Sequence, residues 1–528
     1  MKSGGVQPRT DSLRMGELLA AFAFASDLAF GLEMEDCLRS CYVAVRLAEQ
    51  LDYTPEERQA AYYAALVKDA GCTCWNSVMA GFLKADEILA RREGLIFTDM
   101  TDPTAMRDWM GNYVATGLDE QSRQSTFTDV ATNMGSLMHD GWCAACEVSA
   151  RIAGRLRLPS LVQKALLAMF EFWNGTGLPN GLAGDQIPHV SRLVLAAFFF
   201  VPYHRRGGRE AALGMARRQR GLAFDPAVSD ALAALGEEPG FWSVLEDGHA
   251  LEVVMDLEPP GAVVAVDEER FDDVAYAFAD FVDLKSPYTA AHSRRVAVIA
   301  ERIAGLLGCS TQDQRFVKRA ALLHDLGLVA APSFFMNRPE HSLGLKERET
   351  LRLHPYHGER ILSGVRAMLP YASPIGAHHE RFDGLGYFRG LKGKDIPLAA
   401  RIVAVADRLD ELTHERPGHP AQTLSQAVES LIADSGSAYD PDIVFCVAGS
   451  LGVAEQPPQV RVWPARLTDR EVDVVRLASK GLTRQQIGES LRISENTVRH
   501  HLTHIYEKTG TTTRVGATLF AMETGLID

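Results

Sequence analysis

The chain has no apolar run long enough to cross a bilayer. The best stretch, Met15 to Gly31, is interrupted by Glu17 and Asp27, and Phe198 to Val201 is far too short. No charged, apolar, small-residue leader opens it, so the expectation is a cytoplasmic protein without membrane contact. Cysteine is sparse: eight residues scattered over 528 do not make a disulfide framework. Trp142-Cys143-Ala144-Ala145-Cys146 has thioredoxin spacing but opens a helical pattern instead of following a strand, and Cys72-x-Cys74 has no second ligand pair; both read as plain thiols. Alternating β-branched runs are few, and only Val253 to Val266 offers a short hairpin. Positive charge is not in excess either. The formal net charge is −14; residues 466–528 hold nine Lys/Arg and eight Asp/Glu (+1), which leaves −15 on the rest. An acidic body repels DNA and anionic membranes, so any DNA contact must be local.

What is present is helical periodicity. Val296, Ile299, Ala300, Ile303 and Leu307 recur at three- and four-residue steps, as do Phe316, Ala320 and Leu323. The length suggests about three domains. Breaker-rich stretches at 236–269 and 451–465, which read as linkers or short irregular pieces, divide the chain into blocks at 11–235, 270–450 and 466–528. The first two blocks repeat each other. Tyr63-Ala-Ala-Leu-Val-Lys-Asp69 parallels Arg319-Ala-Ala-Leu-Leu-His-Asp325, and Glu171-Phe-Trp-Asn-Gly-Thr-Gly parallels Glu380-Arg-Phe-Asp-Gly-Leu-Gly. Ile187-Pro188 and Arg192 match Ile396-Pro397 and Arg401, and Phe224-Asp-Pro226 echoes Tyr439-Asp-Pro441. The expected fold is mainly α: a duplicated helical domain followed by a small helical bundle.

The second block carries His292, His324, Asp325, His354, His378, His379 and Asp407. Each falls near an expected helix end, so the set can converge in a bundle, and imidazole plus carboxylate suits iron, manganese or zinc. Seven donors exceed what one ion takes, so two divalent ions are expected, about 3.5–4 Å apart and sharing Asp325, with an activated water as nucleophile for a phosphate ester. Gly327 is read as a left-handed C-terminal turn after the helix ending at His324, and Pro355 as a helix start. Asp407, in Ile402-Val-Ala-Val-Ala-Asp407, is a buried carboxylate that wants a cation. Taken singly, each histidine is read more simply as a cap or a surface residue; together they point to a metal centre.

This block resembles the HD-GYP family of phosphohydrolases over about 280–445: Lys285-Ser-Pro-Tyr-Thr-Ala-Ala-His292, His324-Asp325-x-Gly327, His354-Pro355, His378-His-Glu-Arg-x-Asp383-Gly-x-Gly386-Tyr387 and Ala400-Arg-Ile…Asp407. The resemblance implies a di-iron or di-manganese site on those seven ligands and hydrolysis of cyclic di-GMP or a related nucleotide phosphodiester. It makes Asp325 catalytic and gives Arg416, Gly386 and Tyr387 to the substrate. Tyr288 stands where trinuclear members carry a glutamate, which favours two metals. The sequence departs from the family at Leu328, where the family has a phosphate-binding lysine, and at Phe388, where it has proline. In the first block the same stations hold Asp36, Lys68, Met169-Phe170 and Phe198, with only Asp69 retained. It reads as a degenerate copy that serves as scaffold or dimer surface, or as a ligand sensor in the old cleft.

At the C-terminal end, Thr468-Asp-Arg-Glu471 and Thr483-Arg-Gln-Gln486 are capping boxes, and Ser494 is a good N-cap for a third helix over 495–508. Val498, Leu502 and Ile505 form its apolar stripe, which turns Asn496, Arg499, His500 and Thr503 outward, as a helix in the major groove requires. Arg484, Thr497, His501 and Lys508 flank them and suit phosphate contact or helix packing. The segment resembles LuxR-type helix-turn-helix domains over 466–526: Leu467-Thr-x-Arg-Glu471, Gly481-Leu-Thr, Ile487, Ile493-Ser-x-x-Thr-Val498, His501 and Lys508. The resemblance implies double-stranded DNA as partner and a homodimer formed through the last helix, near Arg514 to Thr524. Two functional readings stand: a DNA-binding regulator whose metal domain hydrolyses its nucleotide, and a non-catalytic metal and nucleotide sensor that controls DNA binding.

Overall fold

A computed structural model of the chain describes residues 13–95, 97, 103–246, 248–259, 263–450, 463–491 and 493–527. Among these it is helical, with isolated β-bridges and no strand. The helices used below are α1 (Met15–Phe30), α2 (Asp36–Gln50), α3 (Pro55–Val67), α4 (Glu120–Arg155), α5 (His189–Gln219, broken at Gly207–Gly208), α6 (Glu268–Asp283), α7 (His292–Leu306), α8 (Thr311–Leu323), α9 (Leu345–Arg352), α10 (His354–Ser363), α11 (Leu369–Gly376) and α12 (Leu398–Thr413). The terminal bundle is α13 (Asp469–Ser479), α14 (Arg484–Leu491), α15 (Glu495–Thr509) and α16 (Arg514–Glu523).

The duplication is structural. The pair α2–α3 and the pair α7–α8 start and stop at matching residues, and Asp52 and Gly308 take left-handed conformations at the same place between them (φ 52° and 78°). Glu171 accepts backbone N–H bonds from Asn180 and Leu182, as Glu380 does from Arg389 and Gly390. Arg192 pairs with Asp225 and Arg401 with Asp440. The copies are not separate bodies: one hydrophobic core runs through both. The helix α1 is nearly all apolar and buried, and Phe22 packs on Phe278 and Phe281 of α6 at 5.1 and 4.7 Å.

Several sequence readings need correction. The stretch 236–269 is no free linker; it holds short helices that bury Phe241, Trp242 and Leu245. The expected hairpin over Val253–Val266 begins as a helix, Ala250–Asp256, because Ala250 and Val254 bury one helical face; further on, Val264 accepts from Met15 N and Val266 N donates to Leu13, at the start of α1. Cys143 and Cys146 lie inside the 36-residue α4, not at its start, and all eight cysteines are free. Gly327 is not left-handed. It sits in a 3-10 turn where a Cβ would fall 1.8 Å from the His354 carbonyl oxygen, so glycine is needed for close approach to α10. Residues 451–462 of the second linker lie outside the described residues. No described helix is long and apolar enough to cross a membrane.

Candidate metal centre

Seven stations spread over more than a hundred residues meet at one end of the second copy. His292 begins α7, His324 caps α8, Asp325 follows it, His354 begins α10, His378 and His379 follow α11, and Asp407 lies on α12. Six of them form two triads, His292–His324–Asp325 and His354–His378–His379, each with donor atoms within 4.8 Å of one another. Asp325 spans both. Its Oδ2 lies 3.4 Å from Nε2 of His292 and of His324, and its Oδ1 lies 3.4 Å from Nε2 of His354. Asp407 Oδ1 is 3.2 Å from His292 Nε2 and 3.7 Å from His324 Nε2.

The backbone sets the ring orientations. Nδ1 of His324, His354 and His378 donates to the carbonyls of Ala321, Leu351 and Ile375, which leaves each Nε2 lone pair aimed into the site. Two such lone pairs, on His354 and His378, then face each other at 3.0 Å, and the buried His324 Nε2 has no hydrogen-bond partner among the described residues. An arrangement of unshared lone pairs converging on buried carboxylates fits divalent cations. Burial, reinforced by neighbouring imidazoles, pushes His378 far down and His379 down to about 4, so both stay neutral and able to ligate. Burial would raise the Asp325 carboxyl, but His324, His292 and His354 around it outweigh that and hold it ionised.

Sequence reasoning missed Asp410 and gave no role to Lys285, which it named only as the start of a motif. Asp410, fully buried one turn beyond Asp407, accepts from His292 Nδ1 at 2.7 Å and is clamped by Arg295. The three-residue step from Asp407 on an apolar helix was the available signal. Lys285 is wholly buried and donates to the Val329 and Ala331 carbonyls, which pins the turn after Asp325. The first copy braces the same region. Glu87 accepts from Ser333 N at 2.7 Å, and Asn337 bridges Ser77 to Ser286.

The site opens into a cavity of about 870 Å³ lined in part by Asp325, His354, His379, Asp407, Tyr387 and Arg416. Arg416 Nη2 is 2.9 Å from His292 Nδ1. Leu328 stands on the wall. Gly386 is not on the lining; a Cβ there would lie 2.2 Å from Arg381 N, so its role is a tight turn, repeated at Gly177 against Phe172 N. The old cleft of the first copy is shut. Lys68 bonds Asp69, Asp36 pairs with Arg39, and Phe170 and Phe198, at two of the lost stations, meet edge to face while Trp142 stacks on Phe170. The remaining void of about 10 Å³ has room for at most one water, so that cleft holds no preformed ligand cavity.

The terminal bundle follows its caps closely. Thr468–Glu471 and Thr483–Gln486 close as boxes, and Val498, Leu502 and Ile505 join its core. Asn496, Arg499, His500 and Thr503 are exposed on α15, with Arg499 bonded to Asn496 at 2.7 Å. Arg484 lies 3.7 Å from Glu495, Thr497 helps cap α15 at Ser494, and His501 is half-buried. Lys508 is committed to packing, donating to both oxygens of Glu471.

A duplicated helical fold with one converging histidine–aspartate site, joined to a helix-turn-helix bundle, defines a metal-dependent phosphohydrolase of the HD type fused to a regulatory domain. Residues 277–443 match the HD domain and residues 465–521 match the bacterial regulatory proteins of the luxR family. The 3′3′-cGAMP-specific phosphodiesterase 3 of Vibrio cholerae serotype O1 is 31% identical over 442 residues, which cover 83% of this chain and 95% of that protein. The chain belongs to the HD-GYP phosphodiesterases. The cyclic di-GMP phosphodiesterase response regulator RpfG of Xanthomonas campestris is 37% identical over 191 residues, 36% of this chain and half of that one. A crystal structure of the V. cholerae cyclic GMP-AMP phosphodiesterase V-cGAP3 superposes with a TM-score of 0.58 at 27% identity, covering 84% of this chain and 99% of that one.

Proposed function

We propose that the chain is a regulator that hydrolyses a cyclic dinucleotide, of the 3′3′-cGAMP or cyclic di-GMP type, and couples that site to double-stranded DNA binding. The observation that carries the reading is Asp325 shared between two ligand triads at the floor of a cavity large enough for a dinucleotide. Two divalent cations, iron or manganese, held by the seven ligands would supply Lewis acidity and a water acidified toward neutrality. The chain's own groups do the rest. Asp410 and three backbone carbonyls fix the imidazoles, Arg416 offers a planar cation beside His292 for the scissile phosphate, and Leu328, Leu343, Leu351 and Leu412 make the wall partly apolar.

The test is to follow linear dinucleotide release by manganese-loaded protein from 3′3′-cGAMP and cyclic di-GMP. Release supports the reading. Tight binding with no product selects the non-catalytic sensor, which the apolar Leu328 on the wall favours.

For DNA, Arg499→Ala is expected to weaken specific binding by about 1–3 kcal/mol at fixed salt, read by gel shift; unchanged affinity would show that the recognition face is misassigned. Coupling has a physical route. The Glu147 carboxylate on α4 accepts from Thr512 N, Thr512 Oγ1 and Thr513 Oγ1, just ahead of α16, and Leu519 and Met522 of α16 bury into the main core. Glu523 of α16 pairs with Arg151 and Arg155, Arg155 with Asp280, and Asp280 with Arg294, two residues from His292. Docking thus holds the DNA-binding bundle against a body of charge −15 and covers part of the helix that the family resemblance assigns to dimerisation. Glu147→Ala is expected to loosen the dock and raise DNA affinity by about five- to tenfold, measured by salt-controlled titration; equal affinity in the two proteins would refute this route.

A further inference from the structure

Leu328 deprives the cavity of a cation where the sequence pattern leads one to expect it, yet any cyclic dinucleotide brings two anionic phosphodiesters. Only one of them can lie at the metal centre. The other is carried by the same ring to a nearby wall, and that wall must supply positive charge. The short helix α9 ends two residues before His354, and the segment holding Leu328 packs along α10, which begins at His354. Arg348 and Arg352, one helical turn apart, both line the cavity from α9. The Arg352 guanidinium lies 5.8 Å from the centre of the Tyr387 ring, which in turn stacks on His379 at 5.1 Å and 18°. Arg352 therefore stands one ring beyond a metal-ligand station.

The other cavity arginines are placed differently. Arg338 bonds Glu347 and the Ser342 carbonyl, Arg416 beside His292 is the cation proposed above for the scissile phosphate, and Arg408, weakly paired with Glu411, adjoins Asp407 on the metal side of the cavity. Arg352 has only a solvent-exposed pairing with Glu349, a weak restraint, and Arg348 has no ion-pair partner among the described residues. We propose that Arg348 and Arg352 bind the phosphate of the cyclic dinucleotide that is not being cleaved, and so replace the cation missing at position 328. This rests on the function proposed above. It makes the pair a specificity element, because a substrate with a single phosphodiester has nothing to place there.

The experiment uses the full-length manganese-loaded protein, with 3′3′-cGAMP, cyclic di-GMP and bis(p-nitrophenyl) phosphate as substrates. The R348A/R352A variant should raise KM for the better cyclic dinucleotide by about 10- to 100-fold. Its kcat should stay within about threefold of wild type, its kinetics on bis(p-nitrophenyl) phosphate should be unchanged, and its thermal midpoint should match wild type. Adding L328K to that variant should recover most of the lost affinity. Equal losses on all substrates, an unchanged KM, or no gain from L328K when the midpoint is intact would each overturn the proposal. If wild type cleaves only bis(p-nitrophenyl) phosphate and calorimetry finds no cyclic dinucleotide binding, the arginine role falls while the phosphodiesterase site stands. If wild type binds a cyclic dinucleotide without cleaving any substrate, hydrolysis is refuted and the same 10- to 100-fold change, now in Kd, decides the arginine role.

Discussion

Asp325→Ala is expected to abolish phosphodiester hydrolysis, lowering kcat/KM by at least about a thousandfold, or ~4 kcal/mol of transition-state stabilisation. The size follows from position. Every other ligand candidate serves one triad, whereas Asp325 faces His292 and His324 with one oxygen and His354 with the other. Its removal leaves two clusters of imidazoles with Asp407 as the remaining carboxylate among the seven, so metal content, read by elemental analysis, should fall with activity. The fold should survive, since Asp407 stays beside His292 and His324 and Asp410 beside His292, while burial keeps His354 and His378 neutral. Asp410→Asn gives a graded contrast. It keeps the shape around His292 but weakens the acceptor for Nδ1, and the expected loss in metal affinity or activity is about 10–100-fold. Retention of full activity by Asp325→Ala would move the chemistry away from this site.

The second large effect is on stability, in the copy that has lost its ligands. Lys68→Met should destabilise the protein by about 3–5 kcal/mol, seen as a lower thermal midpoint and an earlier denaturant transition. Lys68 is buried with Asp69 as partner, lies 3.3 Å from Cys37 Sγ, and faces the Phe198 ring. Burial alone would drive its ammonium toward neutrality, but Asp69 and Cys37 hold it charged. The ammonium supplies the positive charge that, by the duplication, the metal centre supplies in the second copy. Without it Asp69 and the buried Asp27 face apolar surroundings. Lys68→Met with Asp69→Asn should recover much of the loss, because no full charge at that pair then remains uncompensated. A single variant as stable as wild type would mean that the pair does not hold the copy shut.

The seven converging histidine and aspartate stations, the duplication and the three caps of the terminal bundle were legible because each is a local signal: a residue type at a helix end, a repeated string, or an oxygen three residues ahead of a backbone N–H. Glycine was harder to read. Gly327 suggested a left-handed turn, and only the His354 carbonyl pressing on it shows that the need is space. The stretch 236–269 looked like a linker from its Pro-Gly steps, yet Phe241 and Trp242 find a core supplied by residues far away in the chain. For Lys508 the sequence left phosphate contact and helix packing open, and Glu471 on another helix decides for packing.

The sequence alone determined the helical class, the histidine and aspartate set that the fold gathers, and the presence of a luxR-family bundle, because periodicity, capping and side-chain chemistry act over a few residues. The tertiary structure decided that Asp325 joins two triads, that Asp410 supports His292, that Trp142, Phe170 and Phe198 close the first cleft, and that α16 docks on α4. Each of these is a contact between segments distant in the chain. Such contacts are selected by burial and charge pairing across the whole core, which no short window of sequence encodes.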